Sequence, residues 1–273
     1  MRAREQRLRR LINTRDSARH WRQRVRDVLE CPDIALLPRH PQAGQIVGHD
    51  QIMHNGLRVA LGTYYTSHMN QLLQHSRGVH EPQEERIFAE VLQQMPADAT
   101  MLELGAYWSF YSMWFKQIVP GGRNILVEPD KANLTAGRLN FSLNKFDGEF
   151  FNAYLGERYR HNPYDAPTVS VDWLAEKFGL THLNLLHSDI QGYELQMLKG
   201  AGKMLRERRV DYIFVSTHSE ELHDNCRAFL EKHDYPIIAD HNLAESYSVD
   251  GLLVARRKEL QGLKHITLSK KSS

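Results

Sequence analysis

TMLELGAYWSFYSMWFKQI, residues 100–118, decides the fold class. The apolar run 101–104 stops at Gly105, and apolar side chains then recur at helical spacing at Phe110, Met113, Trp114 and Ile118. Strand, glycine turn and helix in that order open a parallel α/β unit. At such a junction the main-chain N–H groups of the helix start point at the turn, and a glycine lets a nucleotide-like ligand approach the backbone.

Downstream, strand and helix patterns alternate. Strands are predicted at 124–127, 149–155, 183–188 and 211–217, with helices at 132–144, 172–178, 194–207 and 220–233. Two closing strands, 236–239 and 251–255, are joined by a loop too short and polar for a crossover helix, which predicts one antiparallel strand. The expectation is an α/β doubly wound, mostly parallel sheet with a terminal antiparallel strand.

Upstream lie two smaller elements. Short strands at 45–47, 51–54 and 57–61, the last two joined by Asn55-Gly56, read as a β-hairpin. Helices are predicted at 67–73 and from Pro82, the latter opened by His80-Glu81-Pro82-Gln83-Glu84-Glu85, with acids suited to a helix start. His80 and Glu81 sit where a lid over the glycine turn would be. The expected segments are a basic arm and Pro-rich linker (1–44), a hairpin and helical cap (45–95), the main domain (96–258) and a flexible tail (259–273).

Glu128 closes the second core strand, where an acid can accept hydrogen bonds from both ribose hydroxyls of a cofactor. A dinucleotide would want further glycines after Gly105, and this chain has Ala106, Tyr107, Trp108 and Ser109. S-adenosylmethionine carries no phosphate, so one glycine suffices, with Glu103 placed for its amino-acid end. A nicotinamide-dependent oxidoreductase is thereby disfavoured. Farther on, a buried strand runs into Asp189, Gly192 and a helix opened by Glu194.

ELGAYWSFYS, VEPD, VSVDWLAE and DIQGYELQMLKGA, in this order and spacing across about residues 96–220, resemble the FkbM-type family of S-adenosylmethionine-dependent methyltransferases. The resemblance implies a Rossmann-like class I methyltransferase fold and transfer to a hydroxyl oxygen of a sugar or other small natural product. The chain departs from the family pattern in two places. Ser109 stands where a second glycine is usual, and its hydroxyl is expected to cap the next helix. His187 and Gln191 replace a lysine and a glutamate.

Methyl transfer to oxygen is an in-line displacement that needs alignment and removal of a proton. Asp189 and His218, at the ends of neighbouring strands, are the expected pair, one accepting the proton and the other orienting it, with Glu194 beside them. The expected cofactor contacts are Glu103, Gly105, Ala106, Tyr107, Ser109, Glu128 and Asp189. Oxygen ligands around Asp189 suit a divalent metal, but no spacing requires one. The acceptor pocket is expected from the hairpin element and the loops 159–164 and 241–247.

Of 273 residues 41% are hydrophobic, enough for a sizeable core. No run approaches the roughly 20 apolar residues of a membrane span, and residues 1–30 lack a secretory core, so a soluble cytoplasmic protein is expected. Cys31 and Cys226 have no metal or redox spacing. Residues 1–30 hold ten Arg against four acids, a net +6, so the body is mildly acidic although the chain totals +2. Leu8, Leu11, Ile12, Trp21, Val25, Val28 and Leu29 recur at helical steps, which predicts an amphipathic helix broken near 13–16. Such an arm also supports the other reading, a nucleic-acid-binding protein or nucleic-acid methyltransferase. The sequence leaves the oligomeric state open, and a homodimer is compatible with it.

Overall fold

The computed structural model describes residues 18–64 and 67–272. The first half of the basic arm, with Leu8, Leu11, Ile12 and the expected break at 13–16, lies outside the described residues. Helix α1 (Ala18–Glu30) turns Trp21 and Val28 inward, and the Trp21 ring stacks on His68 at 5.5 Å; Leu29 is exposed rather than part of the stripe. After a 3₁₀ turn at Pro32–Leu36, strands β1 (Ile46–Val47), β2 (Asp50–Ile52) and β3 (Arg58–Ala60) form a small antiparallel sheet. Its hairpin turn is longer than expected. The Met53 N–H donates to the Leu57 carbonyl, and Gly56 within the turn takes φ +89°. Helices α2 (Ser67–His75) and α3 (Pro82–Leu92) follow, with Pro82 in the first turn as its fixed φ allows.

The main sheet then begins with β4 (Thr100–Leu104), α4 (Phe110–Ile118), β5 (Arg123–Val127), α5 (Lys131–Leu143) and β6 (Glu149–Phe151). The expected strand 149–155 divides there. Residues Tyr154–Leu155 (β7) leave the main sheet and pair with Thr168–Val169 (β8) in a two-stranded sheet. Helix α6 (Val171–Lys177), capped by the Ser170 hydroxyl, leads into β9 (Leu183–Ser188). The expected helix 194–207 also divides, into α7 (Glu194–Gly200) and α8 (Gly202–Arg206), because the Asp172 carboxylate accepts from the N–H groups of Lys203 and Met204 and starts a new turn. The chain completes the sheet with β10 (Val210–Thr217), α9 (Glu220–Lys232), β11 (Ile237–His241) and β12 (Gly251–Arg256).

The strand order is β11-β12-β10-β9-β4-β5-β6, with β12 antiparallel to both neighbours and the other central pairs parallel. The doubly wound sheet and its antiparallel closure are as expected. Alternation along β4 sends Met101 to one face and Leu102 and Leu104 to the other. One face packs against α3 and α4 in a core that runs from Trp21 to Leu268, and the other against α6, α7, α8 and α9. The N-terminal elements therefore share a core with the sheet. The tail joins it as well, correcting the expectation of a frayed end. Ile266 and Leu268 are buried, the Ile266 N–H donates to the Ile238 carbonyl, and the Ser269 N–H donates to Asp33. Both cysteines are buried and free, and no helix among the described residues is long and apolar enough to cross a membrane.

Gly105 marks where the two halves of the sheet meet. At φ +79° an added Cβ would lie 1.9 Å from the Asp189 carbonyl oxygen, while Gly192, at φ +102°, has open space around it. Gly105→Ala is therefore expected to destabilise the fold by about 3 kcal/mol or more in urea titrations, beyond the strain of the left-handed backbone alone. Gly192→Ala should cost only that strain, about 1–2 kcal/mol. Equal losses in the two variants would contradict the close approach.

Candidate active site

The carboxyl ends of the parallel strands gather most of the residues singled out in the sequence. Beyond β5, Glu128 is buried; its Oε2 accepts from the Tyr107 N–H at 3.2 Å and its Oε1 from the Asp130 N–H at 2.8 Å. Burial raises its pKa. The turn between β4 and α4 is more constrained than its single glycine suggests, since Tyr107 (φ +40°) and Ser109 (φ +66°) also adopt left-handed backbone. Ser109 occupies the N-cap position of α4, but its hydroxyl makes no capping bond, which corrects the expectation from sequence. That hydroxyl packs toward α5 instead, where a Cβ on Gly137 would meet it at 2.3 Å. Ala106 is buried, and Trp108 stacks on Tyr64 at 3.7 Å with the rings 6° from parallel. Glu103 points under α4, fully enclosed, and burial pushes its pKa up to about 7. It is thus part of the polar interior beneath the turn.

Asp189 and His218 do meet. The His218 Nε2 lies 3.1 Å from Asp189 Oδ1, its Nδ1 lies 3.1 Å from Glu194 Oε1, and Asp250 stands 3.5 Å from Nε2. The Gln191 amide, on a left-handed residue, donates to Asp189 Oδ1 at 2.8 Å, and its nitrogen lies 2.8 Å from His218 Nε2. Glu194 is wholly buried and also accepts from the N–H groups of Ile190 and Gly192, so it shapes the turn as well as the imidazole. Burial opposes a charge on His218, but the Asp189 and Glu194 hydrogen bonds overcome it and raise the pKa to about 11. His218 is therefore an imidazolium at neutral pH. The same contact keeps Asp189 below the usual carboxylate range in spite of burial, whereas burial and the Asp189 charge lift Asp250 to about 7.

Asp189, Glu194 and His218 offer donor atoms within 4.8 Å of one another, a spacing open to a metal. The two carboxylates, however, approach opposite ring nitrogens. An ion held through one nitrogen would leave the other carboxylate on the far side of the ring. The geometry suits a doubly hydrogen-bonded imidazolium better than a three-ligand centre.

The acidic start of α3, read from sequence as suited to a helix start, is largely interior. Glu84 accepts from Ser216 and pairs with His187 at 2.7 Å; Glu85 pairs with His80 at 2.6 Å and with His54 at 3.1 Å; Glu81 accepts from the Tyr111 hydroxyl at 2.9 Å and lies 3.2 Å from His80. Burial works against the His80 charge, yet Glu81 and Glu85 raise its pKa to about 10. His80 and Glu81 do stand beside the site, as a fixed wall instead of a lid. Glu84 and Gln191 were read from sequence only as a helix-start acid and a departure from the family pattern, and Asp250 left no local signal. Of the loops expected around the acceptor, 241–247 is anchored to α3 by Gln83, which donates to the Glu245 carbonyl and accepts from the Tyr247 N–H. Tyr159 instead stacks on Trp173 and lines a cavity of about 570 Å³ beside Gly179, Thr181 and Arg209, residues that precede β9 and β10 at the opposite edge.

Residues 148–237 match the family model described as the methyltransferase FkbM domain. That segment contains VSVDWLAE and DIQGYELQMLKGA, while ELGAYWSFYS and VEPD lie upstream of it. No curated protein matches the chain. Among solved structures, the FkbM methyltransferase of Methylobacillus flagellatus KT aligns at 19% identity over 58% of this chain and 44% of its own, with a TM-score of 0.47. The precorrin-6y C5,15-methyltransferase of Geobacter metallireducens GS-15 aligns at 15% identity over 63% and 88%, TM-score 0.43. A putative tRNA (m1A22) methyltransferase of Streptococcus pneumoniae, in complex with S-adenosyl-L-methionine, aligns at 16% over 65% and 74%, TM-score 0.44. The chain thus covers less than half the length of the first of these structures.

The buried pairs set a pH dependence of stability. An imidazole whose pKa rises on folding contributes stability that is complete below its unfolded value and is lost as pH climbs through the folded value. For His80 that window runs from about 6.5 to 10, and for His218 from about 6.5 to 11. Glu103 and Asp250, lifted to about 7, act in the same direction at lower pH. The urea midpoint is expected to fall steadily from pH 6 to pH 10, and His80→Asn should flatten that slope while lowering stability at pH 6. A midpoint independent of pH over this range would contradict the pairing.

Proposed function

From a chain whose residues 148–237 match the FkbM methyltransferase domain, we propose an S-adenosylmethionine-dependent methyltransferase that acts on a hydroxyl oxygen of a sugar or other small natural product. The observation that carries this reading is the cluster of Asp189, Asp250 and Glu194 around His218 at the carboxyl edge of the sheet, two strands away from Glu128. The residues fit the cofactor. Glu128 Oε2 accepts one hydrogen bond and retains capacity for a ribose hydroxyl, and the turn from Gly105 through Ala106 and Tyr107 to Ser109 borders the same space. When bound, S-adenosylmethionine supplies an electrophilic methyl group on a sulfonium.

The protein's part is alignment and proton removal. His218, already protonated, cannot serve as the base at neutral pH. It holds Asp189 in place, and the acceptor's proton passes to the carboxylates on its Nε2 side, Asp189 and Asp250. Asp250, with a pKa near 7, is matched to that task at neutral pH. Glu194 fixes the imidazole from behind.

A second reading has its own observation. Arg19, Arg22 and Arg26 of α1, with Trp21 and with His68 and His75 of α2, line a groove of about 550 Å³, and a basic groove with an aromatic ring suits a nucleic acid. It predicts retention on RNA that falls steeply with salt and disappears when residues 1–30 are deleted.

Thermal-shift titration separates the readings. S-adenosylhomocysteine is expected to raise the melting temperature with the logarithm of its concentration above the dissociation constant, NAD to have no effect, and Glu128→Ala to weaken the response. Asp189→Asn and Asp250→Asn should lose about 100-fold or more in turnover with an accepted substrate, followed by mass-spectrometric detection of the methylated product, and Asp250→Asn should keep the thermal response. Absence of any shift with S-adenosylhomocysteine refutes the cofactor, and full activity in both variants refutes the proton acceptors.

A further inference from the structure

Glu81 holds the N-cap position of α3, yet its carboxylate makes no capping bond there. Glu85 takes that place, its Oε1 accepting from the N–H groups of His80 and Glu81 at 2.8 and 3.0 Å. The Glu81 side chain turns instead toward α4, where one oxygen makes both of its contacts. Its Oε2 accepts from the Tyr111 hydroxyl at 2.9 Å and lies 3.2 Å from His80 Nε2. The other oxygen, Oε1, has no hydrogen-bond partner among the described residues, and the side chain keeps 15% of its surface exposed.

The packing of α3 fixes where that open oxygen stands. Glu84 reaches His187 on β9 at 2.7 Å and Ser216 on β10 at 3.1 Å, while Phe88, one turn later, meets Phe214 and His187 edge-on at 5.5 and 6.0 Å. Phe214 and His187 are partners in the sheet register, so α3 descends as β9 and β10 rise. Glu81 therefore lies about 4.5 Å beyond Glu84, toward the carboxyl edge. Asp189 and His218 stand two residues beyond His187 and Ser216, on the same side of the sheet by strand alternation. Tyr111 ties the two levels together independently, since its hydroxyl holds Glu81 and its ring lies 4.4 Å from that of His187.

The arrangement repeats the one around His218. An outer carboxylate, an imidazole and a buried carboxylate that accepts from two backbone N–H groups occur in order at Asp189, His218 and Glu194, and again at Glu81, His80 and Glu85. Burial opposes a charge on Glu81, but His80 keeps its pKa below the usual carboxylate range. The site thus has a second fixed carboxylate, with one oxygen unused. Glu103, expected from sequence at the cofactor's amino-acid end, is enclosed beneath α4 and leaves that place open. Glu128 ends β5 and Asp189 follows β9, with β4 between them, so a cofactor held at Glu128 extends across about 10 Å of sheet toward this edge. An ammonium brings charge and three donors to an open carboxylate oxygen, whereas a sulfonium has no proton to donate.

We infer that Glu81 binds the α-ammonium of the amino-acid end of S-adenosylmethionine through Oε1, with Tyr111 and His80 holding the carboxylate in place. This rests on the cofactor reading above and adds to it a binding residue from outside the matched family segment. It also gives the interior pairs at the start of α3 a role in the site.

Two ligands that differ by one amine test the inference: S-adenosylhomocysteine and its deaminated analogue, S-adenosyl-4-thiobutyrate, which keeps the carboxylate. Both are titrated calorimetrically into the full chain as wild type, Glu81→Gln and Glu81→Asp, each checked for an intact melting transition. Wild type is expected to prefer S-adenosylhomocysteine by about 10- to 100-fold, the value of one charge-assisted pair, and Glu81→Gln to reduce that preference to about twofold. Glu81→Asp should recover part of it. A preference that Glu81→Gln leaves intact overturns the assignment, as does an equal loss for both ligands, which would mark Glu81 as structural. Wild type that binds the two equally well overturns it without recourse to any variant. Wild type that binds neither overturns the cofactor reading itself, a result distinct from the others.

Discussion

Burying a carboxylate in an apolar interior is unfavourable by several kcal/mol unless a partner of opposite charge or a set of donors meets it, and this chain buries two at the start of α3, Glu84 and Glu85, with Glu81 half-buried beside them. Each is met by imidazole or hydroxyl groups from elsewhere in the chain. His54 comes from the hairpin turn, His187 from β9, Ser216 from β10 and Tyr111 from α4. The pairings fix where α3 lies across the sheet, and α3 in turn anchors the loop before β12 that delivers Asp250. Loss of one partner would strand a buried charge, so these contacts are more restrictive than apolar packing of the same area.

This network also accounts for the chain's departure from the family pattern at the end of β9. Where that pattern has a lysine, His187 is buried between Glu84 and the rings of Phe88, Tyr111 and Phe214. A lysine there would place a flexible ammonium among three aromatic rings, whereas a planar imidazole both stacks and pairs. The second departure has a similar cause. Ser109 adopts the left-handed conformation that a glycine would take more easily, and its side chain occupies the space that Gly137 leaves open on α5. The neighbouring Trp108 stacks on Tyr64 and meets His80 edge-on, tying the turn to the N-terminal elements.

How much could be read from sequence follows from the range of the interactions. Strand β9 is found at the expected residues, and β4, β5, β10, α5 and α9 within one or two, because period-two and period-3.6 apolar patterns are local. The joining of Asp189 to His218 was also legible, since parallel neighbours place the ends of successive strands together. What escaped depends on distant partners. Glu84 and His187 are 103 residues apart, so an acidic helix start that is interior looks the same in sequence as one in water. Gly105 was read as room for a ligand, and its space is taken by the Asp189 carbonyl. The breaks at 152–153 and at Ala201 arise from a side pairing and from a remote Asp172, which periodicity does not register.

The charges at the carboxyl edge bear on the acceptor. At that edge Asp189, Glu194 and Asp250 surround the His218 imidazolium, and Glu81 stands near enough to feel the Asp189 charge. A cationic sulfonium is at home there. A phosphorylated acceptor would meet carboxylates on several sides, with attraction confined to His218, so the field opposes it. A neutral hydroxyl compound meets no such opposition and finds hydrogen-bond acceptors ready for its other hydroxyls. On the proposed function, the field therefore favours an uncharged hydroxyl compound over a phosphorylated one.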